Sequence, residues 1–127
     1  MTKTLFITGA SSGIGAATAR AAAKAGWNVG LFARSEDKLK DLAREIGDQA
    51  LVLTGDATQY DDQEQAMSRL AQKFGQIDAV FANAGRGTSP GGTEKGDPDD
   101  WKSMIDLNVM GALYTAHAAM PYLRKTT

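Results

Sequence analysis

Cysteine is absent from the 127-residue chain. Its absence excludes disulfides, a thiolate nucleophile and Cys-ligated zinc in one step. There is one histidine, His117, which argues against a His-based metal site. Neither sign of charge prevails: the formal net charge is −1. Nothing in that balance asks for nucleic acid or an anionic membrane surface as a partner. No stretch approaches the ~18 consecutive apolar residues of a membrane span. The apolar run after Lys3 is broken by Gly9, so no secretory leader is expected and the expected location is the cytoplasm. What is present is ordinary globular usage, 43% hydrophobic and 23% charged, in a length that suits one domain. A fold of this size buries roughly two-thirds of its unfolded surface, enough for a core.

The chain is organised around Thr8-Gly9-Ala10-Ser11-Ser12-Gly13-Ile14-Gly15. Before it stands a short apolar run, Leu5-Phe6-Ile7, which reads as a buried strand. After it comes an alanine-rich run, Ala16 to Ala25, which reads as a helix. A glycine-rich turn at a helix start is a phosphate cradle, because the first N–H groups lack partners and the helix dipole places partial positive charge there. Glycines let the backbone approach a pyrophosphate with no Cβ in the way. The spacing is T-G-x-x-x-G-x-G, not the commoner G-x-G-x-x-G; an ordinary tight turn with a helix close behind it is the other reading.

Helix one should run from about Gly13 to Ala25, with Gly26 ending it in a left-handed conformation. Trp27 to Ala33 is nearly all apolar and reads as a strand covered on both faces. Ser35 suits a helix N-cap, with Glu36 and Asp37 in the first turn and Leu39, Leu42, Ala43 and Ile46 at helical spacing. Ala50 to Thr54 is a third strand. Thr58-Gln59-Tyr60-Asp61 has the capping-box pattern before a helix marked by Met67, Leu70, Ala71 and Phe74. Ile77 to Ala82 is a fourth strand, and Arg86 to Gly96 a loop. Asp97-Pro98 opens a last helix to about Arg124, bent near Pro121. This alternation implies a parallel sheet with helices on both faces. Two strand orders fit, 3-2-1-4 and the flavodoxin-like 2-1-3-4, and either gathers a ligand at the C-terminal strand ends.

Four positions follow those strand ends. The glycine turn follows the first. Arg34 follows the second, nineteen residues beyond Gly15. An acidic residue there would take ribose hydroxyls, whereas an Arg offers a planar cation to a 2′-phosphate. Charge-assisted bonds of about 1.5–3 kcal/mol each give roughly a tenfold to hundredfold preference. A surface arginine, or Glu36 or Asp37 reaching the ribose, are the competing readings. Asp56 follows the third strand, as an acceptor for an adenine amino group or as a turn residue. Asn83-Ala84-Gly85 follows the fourth, where the asparagine could brace neighbouring loops. In the last helix Trp101, Met104, Ile105, Ala112, Ala116 and Ala119 share one face with Asn108, which is either a backbone-bonded core asparagine or there for chemistry. His117 lies off that stripe and reads as packing or surface.

Taken together these residues resemble the short-chain dehydrogenase/reductase family. Thr8 to Gly15 matches its glycine turn, Asp56 its aspartate after the third strand, and Asn83-Ala84-Gly85 its N-A-G signature, with Ala82 where many members have another Asn. Asn108 matches the helix asparagine of the family's proton relay. The resemblance implies a Rossmann-like doubly wound parallel sheet, here four strands in the order 3-2-1-4 with four helices. It implies NAD(P) as cofactor, and Arg34 resembles the arginine of NADP-preferring members. The implied cofactor residues are Gly9, Ser11, Ser12, Gly13, Ile14, Gly15, Arg34, Ser35, Asp56, Ala57, Asn83, Ala84 and Gly85, with Asn108 as the catalytic one.

The family's serine and Y-x-x-x-K pair are not found here: Tyr60 is followed at that spacing by Glu64, Tyr114 by Ala118 and Tyr122 by Thr126. The expectation is therefore one partial domain over residues 1–127, the cofactor half of an oxidoreductase, inactive alone. The alternative is a stand-alone nucleotide-binding or self-assembling module. Self-association is expected through the fourth strand's edge or the last helix.

Overall fold

The computed structural model describes residues 2–126. Strands β1 (Thr4–Thr8), β2 (Asn28–Ala33), β3 (Ala50–Thr54) and β4 (Ala79–Phe81) form one parallel sheet in the order β3-β2-β1-β4. This decides between the two orders that the alternation left open. β1 is central, with Leu5 opposite Val29 on one side and Ala79 on the other. The strand direction brings the C-terminal ends of all four strands to one edge of the sheet, where the glycine turn, Arg34, Asp56 and Asn83 follow in turn.

Strand alternation sorts the apolar side chains to two faces. Helices α1 (Gly13–Lys24) and α2 (Glu36–Ile46) cover one face, burying Ala16, Ala19, Leu39 and Leu42 against Ile7, Val29 and Leu31. The small side chains of α1 let that helix lie close to the sheet. Helix α3 (Tyr60–Phe74) covers the other face, burying Met67 and Leu70 against Phe6, Phe32 and Leu53. Gly30 belongs to this layer: a Cβ there would stand 2.7 Å from the Leu70 side chain. Full burial of each such apolar side chain contributes about 1.5–3 kcal/mol.

Several local expectations are corrected. β4 spans three residues rather than six; Ile77 is buried outside the strand, and Asp78 turns its carboxylate to accept from the Thr4 N–H at 2.8 Å. β2 begins at Asn28, one residue later than expected. Neither Ser35 nor Thr58 caps a helix through its side chain. Thr58 instead donates its hydroxyl to Asp56, and Gln59 occupies the N-cap of α3. The Asp97 cap is as read, its carboxylate accepting from the Asp99 N–H at 3.0 Å beside Pro98.

The loop after β4 contains a single helical turn, α4 (Gly92–Lys95). The expected last helix is two segments, α5 (Pro98–Ile105) and α6 (Gly111–Leu123), joined by a π-turn over Asp106–Met110. The irregularity lies there and not at Pro121, which sits in the final turn of α6. A π-turn adds a residue to the repeat and rotates everything after it. The expected stripe is therefore only partly kept. Ala119 is buried and Ala112 half-buried, but Ala116 is exposed, and Gly111, Thr115 and Ala118 complete the buried face of α6. Ile105, ahead of the π-turn, is exposed as well.

Candidate cofactor site

The glycine turn is held from three directions. The Ala10 N–H donates to the Phe32 carbonyl at the end of β2. The Asn83 amide donates to the Gly9 carbonyl at 3.3 Å, and the Ala84 N–H donates to the Thr8 hydroxyl at 3.0 Å. Asn83 thus braces the turn, as its position after β4 suggested. Gly9 and Gly13 have φ of +66° and +55°, the left-handed region where a side chain is strained. Gly15 serves a different purpose. A Cβ there would fall 2.2 Å from the Gly9 carbonyl oxygen, so its absence lets α1 close behind the turn.

The start of α1 is electrostatically open. Ser12 makes no side-chain cap, and no acidic residue stands in the first turn. By contrast α2, α3 and α5 each carry two carboxylates in their first turns. Those carboxylates already meet the positive end of their own helices; at α1 that end faces the pocket unneutralised. Ile14, 71% exposed beside this opening, offers an apolar surface to whatever binds there.

In front of the turn lies a cleft of about 690 Å³, within the range of small-molecule sites. It brings together Gly9, Ser11, Ser12, Ile14, Arg34, Ser35, Asp56, Ala57, Asn83, Ala84 and Gly85. Gly13 faces open space, Gly15 is buried behind the turn and Asn108 is set back from the cleft. Sequence reasoning missed Lys38, Thr58, Arg86, Ser103 and Leu107, which also line it. Lys38 was legible in principle: it stands four residues after Arg34, in the first turn of α2.

Asp56 takes the turn role: one carboxylate oxygen accepts from the N–H and hydroxyl of Thr58, at 2.9 and 2.8 Å, which fixes the turn. The residue also lines the cleft. At the second strand end, Arg34 and Lys38 form no ion pair among the described residues, whereas Glu36 is drawn to Lys40 at 3.6 Å. Neither Glu36 nor Asp37 lines the cleft.

Asn108 lies in the π-turn, and its amide is committed at both ends. Oδ1 accepts from the Arg86 N–H at 2.9 Å and Nδ2 donates to the Arg86 carbonyl at 2.8 Å. The side chain thus holds the loop after Gly85 in place. Arg86 is fixed again by Asp100, at 3.0 Å. The Asp100 carboxyl is held below the usual carboxylate range, chiefly by the Ser89 N–H and also by Arg86, against a smaller opposing effect of burial.

A glycine turn closed by an Asn-Ala-Gly segment, on a parallel 3-2-1-4 sheet, defines a class of dinucleotide-binding oxidoreductases. The short chain dehydrogenase family model matches residues 3–127, and the chain belongs to that family. It is 42% identical over 123 residues to an uncharacterized oxidoreductase of Staphylococcus saprophyticus, covering 94% of this chain and 52% of that protein. To serine 3-dehydrogenase of Agrobacterium fabrum it is 37% identical over 125 residues, covering 98% and 50%. Among solved structures, a 3-ketoacyl-(acyl-carrier-protein) reductase from Brucella melitensis complexed with NADH superposes with a TM-score of 0.93 at 32% identity, over 97% of this chain and 50% of the other. An alcohol dehydrogenase from the archaeon Thermococcus sibiricus, complexed with 5-hydroxy-NADP, gives 0.92 at 34% identity, over 99% and 55%. The chain spans about half the length of the curated relatives it matches.

Proposed function

We propose that this chain is the NADP(H)-binding, N-terminal half of an oxidoreductase of this family. In the complete protein a hydride would pass between nicotinamide and a carbonyl or alcohol. The observation that carries the NADP preference is the pair Arg34 and Lys38. Both line the cleft at the end of β2, and among the described residues neither is in an ion pair. Two uncompensated cations flanking Ser35 suit a 2′-phosphate. Glu36, the competing carboxylate for the ribose hydroxyls, is not among the residues lining the cleft and pairs with Lys40 at 3.6 Å.

Calorimetric titration with 2′-AMP, 5′-AMP and NADPH tests this. The expected result is binding of 2′-AMP roughly tenfold to hundredfold tighter than 5′-AMP, the preference disappearing in Arg34→Ala. Equal affinities would favour NAD. No binding of any of the three would sink the reading for this chain.

Catalysis is assigned to the complete protein, since the 127 residues hold no Y-x-x-x-K pair. Asn108 holds the Arg86 main chain through its amide, which in this reading positions the loop after Gly85. A cytoplasmic location goes with this reading, and no helix among the described residues is long and apolar enough to cross a membrane.

The alternative, a stand-alone self-assembling module, is favoured by one feature. Ile105, Val109, Met110, Leu113 and Met120 form an exposed apolar stripe along α5, the π-turn and α6, with Leu113 57% exposed. Exposed apolar side chains gathered along one segment mark an association surface. The chain is expected to self-associate at tens of micromolar through this stripe, and Leu113→Asp to return it to monomer. Light scattering decides: a monomeric parent, or an associated Leu113→Asp, would refute it.

A further inference from the structure

Helix α3 buries one residue that its apolar face does not explain. Gln63 is fully enclosed on the same face as Ala66, Met67 and Leu70. A buried amide is tolerated only when its hydrogen bonds are made. Here both N–H groups of Nε2 are used, on the Ala57 carbonyl at 2.9 Å and the Gly111 carbonyl at 3.0 Å. Oε1 accepts from the hydroxyl of Thr115, which is itself fully buried.

The two carbonyls belong to two adjoining segments, one of which lines the nucleotide cleft and the other of which follows the π-turn. Ala57 lies in the turn after β3, between Asp56 and Thr58, and all three line the cleft. Gly111 is the first residue beyond the π-turn, which supplies Leu107 to the cleft and carries Asn108. The two segments meet closely because residue 111 lacks a side chain: a Cβ there would stand 3.3 Å from the Ala57 carbonyl oxygen. A leucine at position 63 would match the surrounding apolar face, but it would leave the Ala57 carbonyl without its donor. Thr115 could turn to the Gly111 carbonyl, 3.0 Å away.

We propose that Gln63 is a positioning residue of the nucleotide site, whose amide bolts the Asp56–Thr58 wall to the π-turn segment so that the two move together. A ligand gripped at the β3 end is then felt at the π-turn, at Leu107, which lines the cleft, and at Asn108 behind it. The ligand part of this inference rests on the nucleotide-binding reading; the bolt does not. A buried polar bridge of this kind, fully satisfied, fixes one arrangement of the parts it joins.

Amide hydrogen exchange on the whole chain tests it, using the parent, Gln63→Leu and Gly111→Ala. Gly111→Ala perturbs the same junction more gently, by crowding the Ala57 carbonyl. In the free chain both variants should raise exchange at residues 57–60 and 107–112 together, by about tenfold or more, with β1 and β2 unchanged. In the parent, 2′-AMP should protect 107–112 as well as the turn after β3. In Gln63→Leu it should protect only the turn after β3 and the glycine turn. Unchanged exchange, or an equal rise in every element, would overturn the proposal. So would ligand protection at 107–112 surviving in Gln63→Leu. If no nucleotide binds but the paired loosening appears, the bolt stands and the cofactor reading falls.

Discussion

Gly15→Ala is expected to abolish nucleotide binding and to lower the unfolding midpoint sharply. The added Cβ would sit 2.2 Å from the Gly9 carbonyl oxygen, 2.9 Å from its carbonyl carbon and 2.7 Å from the Asn83 amide nitrogen. Two of these are backbone and the third is tied to Gly9, so no flexible side-chain end can yield. Either α1 retreats from the turn or the Asn83 brace breaks. Each exposes the anion-binding end of α1 in a changed geometry. Overpacking of this kind costs typically about 1–3 kcal/mol, and rigid surroundings place it at or above the upper end. Against a domain stability on the order of 5–15 kcal/mol that is a large share.

Gly13→Ala is the contrast. Nothing lies within 4 Å of its would-be Cβ, and only the left-handed φ of +55° is strained, which costs about 1–2 kcal/mol. Urea denaturation with 2′-AMP titration separates the two. A Gly15→Ala chain with parental midpoint and affinity would refute the close-packing argument.

Phe32→Ala is expected to destabilise the chain by about 3–5 kcal/mol. Phe32 is fully buried, its ring centroid 5.6 Å from that of Phe6, and it also forms part of the cleft floor at the end of β2. Gly55, after β3, is shaped around it: a Cβ at position 55 would stand 2.7 Å from the Phe32 ring and 3.1 Å from Asp62 Cβ. Gly55→Ala alone should therefore destabilise by about 1–3 kcal/mol. With Phe32 truncated, the main obstacle is gone and the added methyl enters the vacated space. The double variant should be clearly less destabilised than the sum of the singles, by about 1 kcal/mol or more. Additive losses in denaturant titrations would show that the two residues do not share this space.

The readings that held are those in which a residue's local chemistry leaves one conformation open. Gly26 adopts the positive φ read for the residue that ends α1, and Asp97 caps α5 ahead of Pro98. The β-α alternation was legible because the strand and helix periods of the apolar residues differ. The family resemblance, carried by the glycine turn and Asn83-Ala84-Gly85, agrees with the family to which the chain belongs. The failed readings share another trait. Thr58 had two acceptable partners, a helix N-terminus and Asp56, and the geometry of the β3 turn chose Asp56. The stripe through Ala116 assumed an unbroken helical repeat.

Local propensity along the chain decided where strands and helices lie and which ends of them are rich in glycine and charge. It could not decide the strand order, because the crossovers of both candidate topologies need the same short connections. Nor could it reveal the π-turn at Asp106–Met110, whose extra residue is compatible with the sequence of an ordinary helix. Tertiary packing settled both. It also gave Gln63 its place, since an amide in an apolar stripe has no evident partner until Ala57 and Gly111 are folded to either side of it. A carbonyl that needs a donor is invisible in a sequence, because every residue has one. Only the packed chain shows which of them water can no longer reach.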